Sequence, residues 1–230
     1  MSALGWGMAT VAAPDRVKSE AFAAGNGGAG VFAVAEGMAG HGSGAVAAGF
    51  CALVVERLAQ RGERGAEPLA RTVHDSAMDA LAWHARLGSD PAACWLTCAV
   101  AALDGDRAWV AHIGACRVAR VRGGSLQALT TDHTLRAQLT AEGRPVPEHL
   151  APVVVRALGP ARPEERAEVA EHPLAAGDTL VLATGALWDV DEPAVIAACL
   201  APAREAAWRL GDLAVEGTRG TVAVVTVRLG

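Results

Sequence analysis

The stretch between residues 92 and 124 constrains the fold most, because apolar runs and tight turns alternate there at short intervals. Ala92–Leu103 is almost entirely apolar and ends at Asp104-Gly105, a dipeptide that strongly favours a two-residue hairpin turn. Arg107–Ile113 returns as a second apolar run, and Arg117–Arg122 alternates basic and apolar residues up to a Gly-Gly pair. We therefore expect consecutive antiparallel strands here.

Long helices are predicted on both sides of these strands. Ser43–Gln60, Pro68–Leu87 and Pro193–Leu210 have helical length and few helix breakers. Short apolar or alternating runs predict further strands at Trp6–Ala12, Glu20–Ala24, Val31–Ala35, Val153–Leu158, Arg166–Ala170, Asp178–Thr184 and Thr221–Leu229. Antiparallel strands with helices grouped between them indicate an α+β fold whose sheets carry helices on their outer faces. No linker or repeat is visible, so we predict a single domain over residues 1–230.

Composition excludes several classes of function. The 230 residues are 52% hydrophobic and 20% charged, as in a globular protein, and the net charge of −5 gives no basic surface for nucleic acid or acidic membranes. The longest apolar run is too short to cross a bilayer. Five cysteines without metal-knuckle spacing predict buried, reduced thiols and a cytoplasmic protein. Lys18 is the sole lysine among many alanines and glycines, which is typical of a GC-rich bacterial genome.

Residues 31–44, VFAVAEGMAGHGSG, place one acid at the end of an apolar run. Glu36 follows Val31–Ala35, and a glycine-rich turn that contains His41 comes directly after it. A carboxylate at a strand end, beside exposed backbone, is a common way to hold a metal ion or to approach a phosphate closely. Glu36 is therefore the first candidate site residue.

Cys116 and Arg122 suggest a second candidate site, since their spacing fits the Cys-x5-Arg motif of cysteine-dependent phosphatases. That chemistry needs a phosphate-binding loop followed by a helix N-terminus that lowers the thiol pKa. The stretch alternates like a strand instead, so we predict a solvated strand face. His133, which follows Asp132, is expected to open a short helix at Thr134–Glu142.

Six segments, in matching order and spacing, resemble the metal-dependent serine/threonine protein phosphatases of the type 2C family. In that family the strand around Glu36 ends in Asp-Gly-Met-Gly-Gly-His. The other segments are the strand pair from Asp104 through Gly114-Ala115-Cys116-Arg117, then Thr130-Thr131-Asp132-His133, Arg156-Ala157-Leu158-Gly159, Ala176–Leu182 and Leu187-Trp188-Asp189-Val190. The resemblance implies a four-layer α-β-β-α sandwich of two antiparallel sheets, with a pair of helices on each outer face.

The resemblance also implies two divalent metals, usually manganese or magnesium, held by carboxylates beside a water that attacks the phosphate. Two dications about 4 Å apart repel strongly, so such a site needs concentrated negative charge. Carboxylates remain at Glu36 and Glu20, and the extra methylene of Glu36 moves its carboxylate by roughly 1.5 Å relative to aspartate. The family's other acids are replaced by small residues at Ala21, Ala115, Gly185 and Gly220.

We therefore predict a catalytically inactive, phosphatase-like domain, a pseudophosphatase, with a binding or regulatory role in serine/threonine phospho-signalling and without a metal or other cofactor. Its vestigial phosphate and metal site comprises Arg16, Glu20, Glu36 and Gly37. Since an unpaired buried carboxylate is unfavourable, Arg16 or Arg219 is expected to take the place of the lost metals. The expected partner is a protein, such as a serine/threonine kinase or a phosphoprotein, and neither a nucleic acid nor a membrane.

Two alternatives stay open. The first is an active but atypical metal-dependent protein serine/threonine phosphatase, in which Glu36, Glu20 and nearby backbone carbonyls bind manganese or magnesium. The second is a degenerate domain whose partner surface lies away from the old site. Turnover of a phosphoester with and without manganese distinguishes the first alternative from the inactive domain.

Overall fold

Two five-stranded antiparallel sheets form the centre of the fold. The computed structural model describes residues 4–13, 19–38, 43–86, 94–216 and 220–230. The first sheet has the order β1-β10-β9-β6-β7, formed by Gly5–Ala12, Thr221–Arg228, Thr179–Ala183, Arg117–Arg122 and Ser125–Ala128. The second sheet has the order β2-β3-β4-β5-β8, formed by Ala21–Asn26, Val31–Met38, Trp95–Asp104, Arg107–Ile113 and Glu168–Pro173.

Helices cover both outer faces. α1 (Ser43–Arg61) and α2 (Ala66–Arg86) pack on the second sheet, and α5 (Ala203–Glu216) packs on β1 and β10 of the first. α4 (Glu192–Ala198) precedes α5, and α3 (Leu135–Ala141) lies between β7 and β8. The predicted α-β-β-α sandwich is confirmed. Among the described residues, no helix combines the length and the apolar character that a bilayer crossing requires.

Strand β3 shows why the sequence around Glu36 is so apolar. Val31, Ala33 and Ala35 face α1 and α2, whereas Phe32 and Val34 face the other sheet, and all five are fully buried. A strand that is covered on both faces needs apolar residues at every position rather than at alternate ones. Burial of each large side chain of this kind stabilises the fold by about 1.5–3 kcal/mol.

Several predicted elements differ from the observed ones. The helix predicted over Pro193–Leu210 is two helices, because Pro202 lacks the N–H that a continuous helix requires. The strand predicted over Val153–Leu158 is an irregular segment with isolated bridges at Val154 and Leu158. β3 continues to Met38, so Glu36 lies within the strand, paired with Thr97 of β4, rather than beyond its end.

Candidate active site

A pocket of about 370 Å³ opens at one end of the sandwich, where strands of both sheets end. Three of the predicted site positions line it: Glu36 from β3, Ala115 from the β5–β6 turn, and Gly185 directly after Thr184, which follows β9. The remaining charged residues of its lining are Arg117, Asp132, Arg136 and Asp189. The structure thus brings together positions that are 70 to 149 residues apart in the sequence.

Glu36 lies at the inner wall of this pocket with its carboxyl group largely shielded from water. Burial, and then the nearby charge of Glu20, raise the pKa of Glu36 from its ordinary value of 4.5 to about 7. A hydrogen bond from the backbone N–H of Gly185 opposes this rise. The carboxyl group of Glu36 is therefore both shielded from water and close to the charge of Glu20.

Glu20 is held beside Glu36 by the backbone. Its N–H donates to Thr221 Oγ1 at 3.2 Å, and its carbonyl accepts from the N–H of Gly37 at 2.9 Å. Ala21 is the cross-strand partner of Glu36 and is completely buried. These bonds join the beginning of β10 to the beginning of β2 and to the end of β3. The predicted residues Glu20, Glu36 and Gly37 therefore lie together.

Gly37 is required by packing. A Cβ at this position would lie 2.1 Å from the carbonyl oxygen of Ser43, at the beginning of α1. The glycine therefore lets the strand that carries Glu36 pass directly against the helix. Gly220 lies at the beginning of β10, where its carbonyl accepts from the N–H of Ala13 at 3.0 Å.

Positions Ala115 and Gly185 are direct neighbours. A Cβ on Gly185 would meet the Cβ of Ala115 at 3.5 Å, an ordinary van der Waals contact. The small residues therefore leave room for larger side chains or for water at these positions. Arg16, Arg219 and His41 lie outside the described residues, so the arginine predicted to replace the metals stays a prediction.

The sequence did not predict the contacts among Arg117, Asp132 and Trp188, which also line the pocket. Arg117 forms two hydrogen bonds with Asp132, Nε–Oδ1 at 2.9 Å and Nη2–Oδ2 at 2.7 Å, and its guanidinium lies 4.8 Å from the ring centre of Trp188. The indole N–H of Trp188 donates to the carbonyl of Ala183 at 3.2 Å. Arg117 and Asp132 both occur in the motifs quoted above. Nothing in the local sequence indicates that they pair, because Arg117 begins β6 and Asp132 lies in the segment after β7.

Behind Asp132, two stacked histidines form a second cluster. The rings of His112 and His133 have centroids 4.6 Å apart, and Glu168 completes a group whose ligand atoms lie within 4.8 Å of one another. His133 Nδ1 accepts from the N–H of Gly114 at 3.1 Å, so its Nε2–H donates to Glu168, which also contacts Arg156. Burial lowers the pKa of both histidines.

This histidine cluster offers imidazole and carboxylate ligands of the kinds that transition metals bind. The two rings are stacked at an interplanar angle of 25°, and His112 Nε2 is 2.8 Å from the carbonyl of Thr131. A metal would have to displace Arg156 and these hydrogen bonds. As arranged, the cluster fixes the loop that carries Asp132.

Cys116 does not have the environment of a nucleophile. Its side chain is fully buried, 3.4 Å from Thr97 Oγ1, and burial raises the pKa of its thiol well above the ordinary value. Residues 117–122 form β6, a strand rather than a phosphate-binding loop, as the alternating pattern predicted. All five cysteines are buried.

Comparison with known proteins identifies the family. The family model described as Protein phosphatase 2C matches residues 15–192. The chain belongs to the protein phosphatase 2C family. The serine/threonine protein phosphatase PstP of Mycobacterium tuberculosis is 32% identical to it over 203 residues, a match that covers 83% of this chain and 38% of PstP. The chain therefore spans about 38% of the length of the curated relative.

Solved structures of the phosphatase 2C family agree with the fold. The catalytic domain of PstP in complex with two manganese ions has a TM-score of 0.81 and 28% identity, over 98% of this chain and 97% of that one. The PPM phosphatase MsPP of Mycobacterium smegmatis, in complex with cacodylate, has a TM-score of 0.82 over the whole of both chains. At 24% identity, this second likeness concerns the fold alone.

These findings correct two predictions, the inactive domain and the absence of a cofactor. The relatives are named serine/threonine phosphatases, PstP holds two manganese ions, and the cluster of His112, His133 and Glu168 offers a further group of metal ligands. The reasoning from lost aspartates was wrong because it treated carboxylates as the sole source of ligands. Magnesium-like cations keep several waters and bind through one or two carboxylates plus substrate phosphate.

The donors present near Glu36 fit one divalent cation. Glu20 and Glu36 supply hard oxygen ligands of the kind that manganese and magnesium prefer, and two carboxylates balance the charge of a single dication. The small side chains of Ala21, Ala115 and Gly185 supply no further carboxylate for a second cation.

Proposed function

We propose that this chain is an atypical metal-dependent protein phosphatase that hydrolyses phosphoserine and phosphothreonine. The observation that carries the proposal is the placement of Glu36, a carboxyl group at the wall of the pocket whose pKa is raised by burial and by Glu20. A shielded carboxyl group beside a second carboxylate is unfavourable unless a cation joins them. Membership of the phosphatase 2C family supports the same reading.

Glu20 and Glu36 are the residues that would hold the cation. Once bound there, a divalent cation supplies Lewis-acid chemistry, since it lowers the pKa of a coordinated water and offsets charge on a phosphate oxygen. The chain contributes the positions of these carboxylates, because Thr221 and Gly37 fix the backbone of Glu20. The N–H of Gly185 favours the ionised form of Glu36, which is the form that binds a cation.

A second group of pocket residues orients the substrate. Arg117, Asp132 and Trp188 form a rigid surface, because the guanidinium is both hydrogen-bonded and stacked. A preorganised wall of this type limits the motion of a bound phosphoester and excludes part of its water. A phosphoprotein is then the expected partner, and a serine/threonine kinase that acts on the same substrates stays a prediction, as do the cytoplasmic location and bacterial origin.

Turnover tests the proposal. We expect the full chain to hydrolyse p-nitrophenyl phosphate and a phosphothreonine peptide in the presence of Mn²⁺ or Mg²⁺, and to lose this turnover in EDTA. Glu36→Gln should abolish it, whereas Glu164→Gln, which alters an exposed acid outside the pocket, should not. Lack of turnover with either metal, or turnover that survives Glu36→Gln unchanged, would contradict the proposal.

A further inference from the structure

Arg136 lines the same pocket and belongs to the chain segment between β7 of the first sheet and β8 of the second. It is the second residue of α3, a short helix whose preceding residue Thr134 accepts a hydrogen bond from the N–H of Ala137 at 3.3 Å. Thr134 also pairs with Val154 through an isolated bridge. Thr134, Arg136 and Val154 all line the pocket, so the base of this side chain is fixed at the pocket wall.

The second guanidinium of the pocket, that of Arg117, is already neutralised. Asp132 accepts two hydrogen bonds from it, and Trp188 covers one of its faces. A bidentate carboxylate of this geometry is the partner that best satisfies an arginine. The positive charge of Arg117 is therefore largely offset by Asp132 and contributes little to binding of an anionic substrate.

Arg136 differs from Arg117 in its contacts. Within the described ranges, no hydrogen bond or ion pair involves its guanidinium, although Glu36, Asp132 and Asp189 line the same pocket. Three carboxyl groups face two guanidinium groups there, so a phosphate dianion would be repelled without added positive charge. The unpaired planar guanidinium is the group in this pocket that is suited to bind it.

We infer that the Arg136 side chain binds the phosphoryl group of the substrate, an inference that rests on the proposed phosphatase function. Its planar fork donates two parallel N–H bonds to phosphate oxygens and balances charge that the carboxylates of the pocket do not. Arg136 is thereby a substrate-binding residue contributed by α3, in the pocket that Glu36 also lines.

Binding of inorganic phosphate by isothermal titration calorimetry tests this inference separately from turnover. In EDTA, and again with Mg²⁺, we expect Arg136→Met to weaken phosphate binding by about tenfold to a hundredfold, the range for a charge-assisted hydrogen bond. Arg136→Lys, which keeps the charge and loses the fork, should lie between the two. Arg162→Met removes an exposed arginine outside the pocket and should bind like the wild type.

Each outcome decides between the two proposals. If the wild type binds phosphate through Arg136 but shows no turnover, the phosphatase function fails and the phosphate site stands. If Arg136→Met binds phosphate within twofold of the wild type, or if the wild type binds none, the inference is overturned. Should Arg136→Met not fold by circular dichroism, Arg136→Lys decides, and unchanged affinity in that variant overturns the inference as well.

Discussion

Replacing Glu36 with glutamine should stabilise the metal-free protein at alkaline pH while it removes activity. Glutamine keeps the shape of the side chain and can still accept the hydrogen bond from the Gly185 N–H. It removes the carboxyl group that is shielded from water and lies close to the charge of Glu20. The stability gain follows from the pKa of Glu36, which is higher in the folded chain than in the unfolded one.

The sign and size of this effect can be worked out. Below pH 4.5, Glu36 is protonated in both the folded and the unfolded chain, so glutamine changes little. As the pH rises from 4.5 through about 7, the unfolded chain ionises first and the wild type loses stability. The full difference corresponds to about 3 kcal/mol. Because the residue as a whole keeps partial exposure, we expect about 2 kcal/mol, or about 4–8 °C in Tm.

Thermal unfolding in EDTA at pH 5 and pH 8 measures this effect. The Tm advantage of Glu36→Gln over the wild type should be small at pH 5 and near its full size at pH 8, and Glu164→Gln should show no such trend. Adding Mn²⁺ at pH 8 should raise the Tm of the wild type and leave that of Glu36→Gln unchanged. An equal Tm difference at both pH values, or a loss of stability at pH 8, would refute the electrostatic reasoning.

Three further predictions concern the same end of the fold and its frame. Restoring acids at the neighbouring positions Ala115 and Gly185, as Ala115→Asp with Gly185→Asp, should tighten Mn²⁺ binding at least tenfold in calorimetry, because each aspartate adds a ligand and a charge; unchanged affinity would place the cation elsewhere. Asp178→Asn should lower the free energy of unfolding in urea, because it removes the buried carboxylate that accepts from the Arg122 guanidinium at 2.5 and 2.6 Å. Gly37→Ala should lower the Tm sharply or prevent folding, since its Cβ would lie 2.1 Å from Ser43 O, whereas Gly28→Ala, where the nearest atom is 3.5 Å away, should be tolerated; a stable Gly37→Ala protein would show that α1 can shift.

Local signals in the sequence predicted the elements of the sheets well. The Asp104-Gly105 turn is a hairpin whose strands pair Asp104 with Arg107, and Arg117–Arg122 is a strand with the predicted bounds. These features depend on neighbours within a few residues, which is the range that propensity and alternation report. The division of the last long helix was missed because the apolar pattern continues across Pro202, while the missing N–H interrupts the backbone there.

The site was predictable in its position but not in its contacts. The order of motifs placed Glu36, Ala115 and Gly185 at one end of the sandwich, and all three line the pocket. The partners of Arg117 and His133 depend on how loops fold over that end. Asp132 lies 15 residues from Arg117, and Glu168 lies 35 residues from His133, so no periodicity connects them.

The prediction of an inactive domain was wrong because it considered only the carboxylates at the motif positions as possible metal ligands. Ala21 and Gly185 do remove carboxylates, but the pocket is lined by Asp132, Asp189 and Arg136 as well as Glu36, and none of these three belongs to the set of positions that the motif comparison scored as lost or kept. Charge in a pocket is a property of everything that faces it, because Coulomb interactions at these distances extend across the whole cavity. If Glu36 and Glu20 hold a cation and Arg136 binds a phosphate, as we propose, loss of either group should weaken binding of the other.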